Sequence, residues 1–191
     1  GQLSADDFVV ITAAGSSVGL AAIQIANHVG AIPIATIRKP EDKKALEVCG
    51  ARYVIATDVE PLGSRLKEIA AGKGIRVIFD AVGGHHVTDM ADAMSPGGVL
   101  IAHGMLSSDP TPFPLNMAIA KSLTMRGYVF TEVMNDPECL ENAKRFILDG
   151  LVTGHFKPLI DKTFAFEDVR EAHRYFESNR RLGKIVLTLE G

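Results

Sequence analysis

The stretch Val9-Val10-Ile11-Thr12-Ala13-Ala14-Gly15-Ser16-Ser17-Val18-Gly19-Leu20 constrains the fold more than any other part of the chain. Its apolar opening, Phe8–Thr12, reads as a parallel strand covered on both faces, and its small residues as a tight turn. From Ser17 or Val18 onward, Val18, Ala21, Ala22, Ile25 and Val29 recur at helical spacing, and Gly30 stands where the helix stops. A second apolar strand, Ile32–Ile37, follows and ends at Arg38-Lys39. Strands joined by a helix run in the same direction, so this opening points to a parallel sheet.

The unit repeats. Pro40 opens a helix through Cys49 that Gly50 ends, Arg52–Ala56 is a short third strand, and Leu62–Ala71 a third helix closed by Gly72 and Gly74. Arg76–Asp80 and Gly98–His103 read as strands four and five around a helix from His86 to Met94, and Leu123–Val129 as the sixth strand. The alternation with short connections predicts an α/β fold, a doubly wound parallel sheet. Ser107–Pro114, with prolines at 110, 112 and 114, is the longest irregular stretch and a candidate mobile segment. Pro137–Asp149 is a further helix, stopped by Gly150.

Beyond it the pattern changes. Leu159–Phe166 reads as a strand, Glu167–Ser178 as a charged amphipathic helix and Lys184–Leu189 as a strong strand. The helix carries Glu167, Arg170, Glu171, Arg174 and Glu177 on one face, so its other face needs an apolar neighbour. The sheet is complete without it. The expected division is therefore a nucleotide-binding domain over 1–150 and a tail over 151–191 that packs on something this chain lacks.

Composition narrows the class. The net charge is −3 and no long basic run appears, which argues against nucleic acid as a partner. The apolar runs are too short to cross a bilayer and no charged-then-apolar leader opens the chain. Cys49 and Cys139 lie far apart without CxxC spacing, which speaks against a disulfide framework and a cysteine-rich zinc site. A cytoplasmic enzyme domain acting on a small-molecule substrate, with no membrane partner, fits these facts.

The turn carries the chemistry. In the G-x-G-x-x-G pattern of dinucleotide sites, the three glycine slots hold Ala14, Ser16 and Gly19. The bare pattern is a weak match, but the strand before it and the helix after it supply the right setting. Small residues let backbone amides approach a phosphate, the helix start adds a partial positive charge, and the Ser16 and Ser17 hydroxyls are further donors. The acidic residue that holds the ribose in NAD-binding units is replaced by Arg38, whose guanidinium matches a 2′-phosphate. The expected cofactor is NADPH. Lys43, one turn into the next helix, either assists Arg38 or lines a solvated face.

Asp80-Ala81-Val82-Gly83-Gly84 and His103-Gly104-Met105 end strands four and five, where ligands of such sheets sit. Asp80 reads as an anchor of its turn. His103 reads as a hydrogen-bond partner or, less readily, a proton donor, and no catalytic residue is assigned. His85-His86 read as helix-start histidines rather than metal ligands, because adjacent helical residues point apart.

Further motifs lie along the chain: Gly50-Ala51, Asp80-Ala81-Val82-Gly83-Gly84, Pro96-Gly97-Gly98, Lys121-Ser122-Leu123-Thr124-Met125-Arg126-Gly127 and Gly183-Lys184-Ile185-Val186-Leu187. With the turn Ile11–Gln24, this ordered set resembles the medium-chain dehydrogenase/reductase superfamily, in its zinc-independent quinone oxidoreductase and enoyl reductase branch. The resemblance implies a Rossmann domain with Ala14, Gly15, Ser16, Ser17, Val18 and Gly19 at the pyrophosphate and Arg38 at the 2′-phosphate. It places Val82, Gly83 and Gly104 along the nicotinamide, with Phe130 near its ring. It further implies an absent catalytic lobe, a homodimer, and hydride transfer to a quinone or an α,β-unsaturated carbonyl. A zinc-type alcohol dehydrogenase relative and a non-catalytic NADPH-binding module are the alternatives.

Overall fold

Every residue of β1 (Phe8–Ile11) is buried, so the strand needs cover on both faces, and it lies in the middle of the sheet. The structure, a computed structural model, describes residues 3–178 and 182–189. Around β1 stand β2 (Ile32–Ile37), β3 (Tyr53–Ala56), β4 (Ile75–Asp80), β5 (Met94–Ala102) and β6 (Thr124–Gly127), in the order β3-β2-β1-β4-β5-β6. All pairings are parallel. The winding direction reverses between β1 and β4, which leaves a crevice at the carboxyl ends of these two strands.

Alternation along each strand divides the core into two layers. Val10, Ile34, Ile78 and Leu100 pack with Leu62 and Leu66 of α3 (Leu62–Ala70) and with Val87 and Met90 of α4 (His86–Ala93). Val9, Ile11 and Val77 pack on the opposite face with Leu20 and Ile23 of α1 (Ser17–His28) and Leu46 of α2 (Lys43–Val48). Pro40 does not open α2 directly. It starts a 3-10 turn, Pro40–Asp42, that leads into the helix.

Two further expectations need correction. β5 begins at Met94, not Gly98, because a register shift opposite Ile75 and Val77 lets Met94 pair before the main ladder. Gly150 does not stop α7, which runs Pro137–Val152. A Cβ on Gly150 would lie 2.0 Å from the Phe156 ring, so this glycine makes room for an aromatic ring inside a helix. Pro114 is followed by a helix the sequence did not announce, α5 (Leu115–Lys121), whose Lys121 ammonium bonds the Asp92 and Met94 carbonyls at 2.6 and 2.9 Å. A short α6 (Thr131–Met134) precedes α7.

In the tail, β7 (Ile160–Ala165) and β8 (Lys184–Thr188) pair in parallel through α8 (Val169–Glu177), apart from the main sheet. Parallel sheets are normally covered on both faces and two strands are marginal alone. Here Ile160, Leu187 and Leu189 remain exposed.

Gly19 fixes how closely α1 approaches the turn. A Cβ there would meet the Ala14 Cα and carbonyl oxygen at 2.6 Å, both backbone atoms that cannot swing aside. Gly19→Ala is therefore expected to destabilise by about 1–3 kcal/mol, read as a lowered midpoint in thermal unfolding. Gly127→Ala, where nothing lies within 4 Å, is the control and is expected to stay within about 0.5 kcal/mol of the parent.

Candidate nucleotide-binding site

The turn after β1 is built by its backbone. Ala13 takes a left-handed conformation, φ 47°, and the Ala14 amide donates to the Thr36 carbonyl at 3.1 Å, tying the turn to β2. Ser16 is the N-cap of α1: its hydroxyl oxygen accepts from the Gly19 amide at 3.0 Å. That acceptor role is local, and the Ser16 hydroxyl proton remains for a ligand. The Leu20 amide goes to the Ser16 carbonyl, which leaves the Ser17 and Val18 amides as first-turn donors without intrahelical partners. No acidic residue occupies this first turn, so the helix-start charge is not offset there. Gly15 and Ser17 are half-buried and the Val18 side chain is exposed.

At the end of β2, Arg38 is exposed, and among the described residues its guanidinium meets no carboxylate. Its backbone is fixed instead, the carbonyl accepting from the Asp58 amide at 3.1 Å. Lys43 differs. Its ammonium lies 2.5 Å from Glu60, and that hydrogen bond, ahead of contributions from the Ala56 amide and Arg65, holds the Glu60 carboxyl below its ordinary range. Of the two cations the sequence offers, one is open to a ligand and the other already has a partner.

The ends of β1 and β4 are joined by a buried polar latch. Thr12 Oγ1 donates to Asp80 at 2.7 Å and accepts from the Ala81 amide at 2.8 Å. Asp80 also accepts from the Val82 and Gly83 amides, each at 3.0 Å. Asp80 thus shapes the turn that carries Val82 and Gly83, the anchoring role read from the sequence. Gly83 and Gly84 both have φ 71°, the region that favours glycine. The Ser107–Pro114 stretch is tied down over this turn: Ser107 donates to the Val82 carbonyl at 2.9 Å, and Thr111 Oγ1 accepts from the Gly84 amide at 2.8 Å.

Gly104 follows β5 so closely against β4 that a Cβ would meet the Ala81 carbonyl at 2.8 Å. His103 stacks on Phe79, centroids 3.8 Å apart, and its Nε2 is buried without a hydrogen-bond partner. Burial pushes its pKa down, against the opposing pull of Asp80. The His85 and His86 rings lie 4.1 Å apart, and burial, then the neighbouring His85, lowers the His86 pKa. Phe130, exposed, follows β6 at the same edge of the sheet.

All the site residues named from the sequence therefore stand on the carboxyl edge of the sheet or on the helix starts facing it. Sequence reading missed Thr12, Thr111 and the approach of the tail. Gly183 donates to the Gly15 carbonyl at 3.4 Å, and Lys184 Nζ lies 3.4 Å from Ser17 Oγ. A polar residue ending an otherwise apolar strand was the available signal for Thr12. Nothing in the Pro-rich stretch marked Thr111. On the outer side of α1 lies an apolar groove of about 180 Å³, lined by Leu20, Ile25, Ile147, Leu151, Phe156 and Leu159, with Ser17 and Lys184 at its polar end.

Residues 17–148 match the family described as zinc-binding dehydrogenase. The chain belongs to that family. It is 25% identical over 183 residues to a 2-haloacrylate reductase of a Burkholderia species, covering 95% of this chain and 55% of that protein. It is 31% identical over 139 residues to a mitochondrial enoyl-[acyl-carrier-protein] reductase of Schizosaccharomyces pombe, covering 69% and 37%. The crystal structure of Escherichia coli quinone oxidoreductase complexed with NADPH superposes with a TM-score of 0.86 at 28% identity, over 97% of this chain and 58% of that one. The chain spans about half the length of the curated relatives it matches. Among the described residues no three His, Cys, Asp or Glu side chains converge as a metal site. No helix of the described residues is long and apolar enough to cross a membrane.

The depressed His103 and His86 pKa values set a pH dependence. The unfolded chain takes up protons near the ordinary imidazole value of about 6.5, whereas the folded chain resists until lower pH. Their stabilising contribution is complete above that value and drains away as pH falls below it. His103→Gln is expected to shrink the drop in unfolding temperature between pH 7.5 and pH 5.5; an unchanged drop would contradict the burial argument.

Proposed function

We propose that the chain is the cofactor-binding part of an NADPH-dependent oxidoreductase that reduces a quinone or an α,β-unsaturated carbonyl. The observation that carries the cofactor half of this reading is Arg38. It stands exposed where β2 ends, at the carboxyl edge beside the switch between β1 and β4, and among the described residues no carboxylate neutralises it. A guanidinium there discriminates a 2′-phosphate from a free ribose hydroxyl. The Ser17 and Val18 amides, with the hydroxyls of Ser16 and Ser17, would hold the pyrophosphate; Ala14, Gly15 and Gly19 keep that turn small enough for its approach. Lys43, already paired with Glu60, plays at most a secondary part.

Val82, Gly83 and Gly104 would line the nicotinamide, and Phe130 would stand beside its ring. When bound, the cofactor supplies a hydride, two electrons with one hydrogen, to an electron-poor carbon. The chain's own residues bind and orient; the proton that completes the reduction is assigned to the substrate lobe. Support for the acceptor class comes from the relatives. Haloacrylate, enoyl thioester and quinone are all acceptors conjugated to a carbonyl group.

The division into residues 1–150 and a tail over 151–191 belongs to this reading, with the tail's exposed apolar side chains meeting a catalytic lobe. So do a homodimer, for which the free outer edge of β6 and the exposed Val129, Phe130 and Met134 offer a surface, and a cytoplasmic setting. By itself the chain is expected to bind NADPH without turnover.

Arg38→Ala tests the reading. Removing a charge-assisted phosphate contact costs about 1.5–3 kcal/mol, so NADPH affinity in a fluorescence titration is expected to fall by about 10- to 100-fold while NADH affinity stays near the parent's. Equal losses for both cofactors would overturn the assignment.

A further inference from the structure

We propose that His28 and His155 form a site for a divalent transition-metal ion such as zinc, which clips the connection after α7 to the carboxyl end of α1. The site lies at the opposite end of α1 from the nucleotide turn, so the inference stands independently of the NADPH reading.

Three helices end together there. α1 ends at His28, α2 at Val48 and α7 at Val152. Side chains at or just beyond those ends, His28, Cys49 and His155 among them, line a cavity of about 260 Å³. Helix carboxyl ends carry partial negative charge and unpaired carbonyls. No lysine or arginine lines the cavity to answer that charge. A cation is the ligand such a place favours.

The two imidazoles supply the donor atoms, and imidazole nitrogen suits zinc and its neighbours. Their ring centroids lie 4.8 Å apart with the planes inclined at 64°. Two imidazoles on one tetrahedral ion, with metal–nitrogen bonds of about 2.0–2.1 Å, hold their centroids about 5 Å apart. His155 is prepared for the role. The Thr153 hydroxyl donates to the Asp149 carbonyl at 2.7 Å, so its oxygen accepts from His155 Nδ1 at 2.6 Å. That bond puts the ring proton on Nδ1 and leaves the Nε2 lone pair open, as outer-shell partners do for metal-ligating histidines.

His28 is held by ring contacts alone, with the Phe146 and Phe156 centroids 5.5 and 5.3 Å away. Among the described residues neither of its ring nitrogens has a hydrogen-bond partner. Cys49 lines the same cavity, but burial pushes its thiol pKa up and no third ligand side chain converges on the pair, so water completes the shell. The other histidine pair does not match. His85 faces Asp109 at 3.6 Å, and His86 Nδ1 is buried.

The experiment is a calorimetric titration of the 191-residue chain with zinc chloride in the absence of nucleotide, beside thermal melts with and without zinc. The parent is expected to bind one ion saturably and to melt higher when zinc is present. Thr153→Val keeps both imidazoles and releases the His155 proton position, so affinity is expected to fall about 10- to 100-fold. Thr153→Ser, which keeps the hydroxyl, is expected to stay near the parent. His28→Gln and His155→Gln each remove a ligand and are expected to lose at least as much as Thr153→Val, while His85→Gln binds as the parent does. His28, Thr153 and His155 are exposed, and melts without zinc check that each variant folds. A parent that shows no saturable binding would overturn the inference. So would parent-like affinity in His28→Gln, His155→Gln or Thr153→Val, or a comparable loss in His85→Gln.

Discussion

The hydrogen-bonded latch between Thr12 and Asp80 is the constraint on which the site depends. A parallel sheet that reverses its winding must hold two strands side by side whose connections leave in opposite directions, and here those strands are β1 and β4. Their ends are buried, and four hydrogen bonds among Thr12, Asp80 and the amides of residues 81 to 83 fix them. Inside the protein such bonds are strong when complete and costly when broken. The same groups shape the turn that carries Val82 and Gly83, so the strand packing and the proposed nicotinamide wall share one set of atoms.

Charge is distributed around this crevice with purpose that the fold makes visible. Glu60 draws in Lys43 and Arg65 and removes them from competition for a ligand. Among the described residues Arg38 meets no carboxylate, and the helix start beside it has no acid in its first turn. On the other side of the crevice, burial lowers the His103 and His86 pKa values, so these imidazoles resist protonation beside the Gly83 and Gly104 turns.

Much of this was legible in the residues, and the rest was not, for physical reasons. Strands such as Ile32–Ile37 and helices such as α1 announce themselves through periodicity and the glycines that end them, so the alternation along the chain and the doubly wound parallel class were legible, while the neighbours of each strand came only with the structure. Gly150 misled because the same residue type that ends a helix also admits a ring at close range, and the ring of Phe156 arrives from six positions further on. α5 escaped because it has no buried residue to give it an apolar stripe. Long-range chemistry was least legible: Thr12 and Asp80 are 68 positions apart, and Lys184 meets Ser17 across 167. The pairing of Lys43 depends on Glu60, a loop residue whose place only the folded chain decides.

The central claim is that the small-residue turn and the two strand ends beside it cradle a dinucleotide. Backbone amide spectra of the isotope-labelled chain during NADPH addition test it most directly. The account predicts the largest shifts at Ser17, Val18, Arg38, Val82 and Gly83, with little change along the outer groove at Ile147 and Leu151. Shifts concentrated in that groove, with the turn silent, would contradict it.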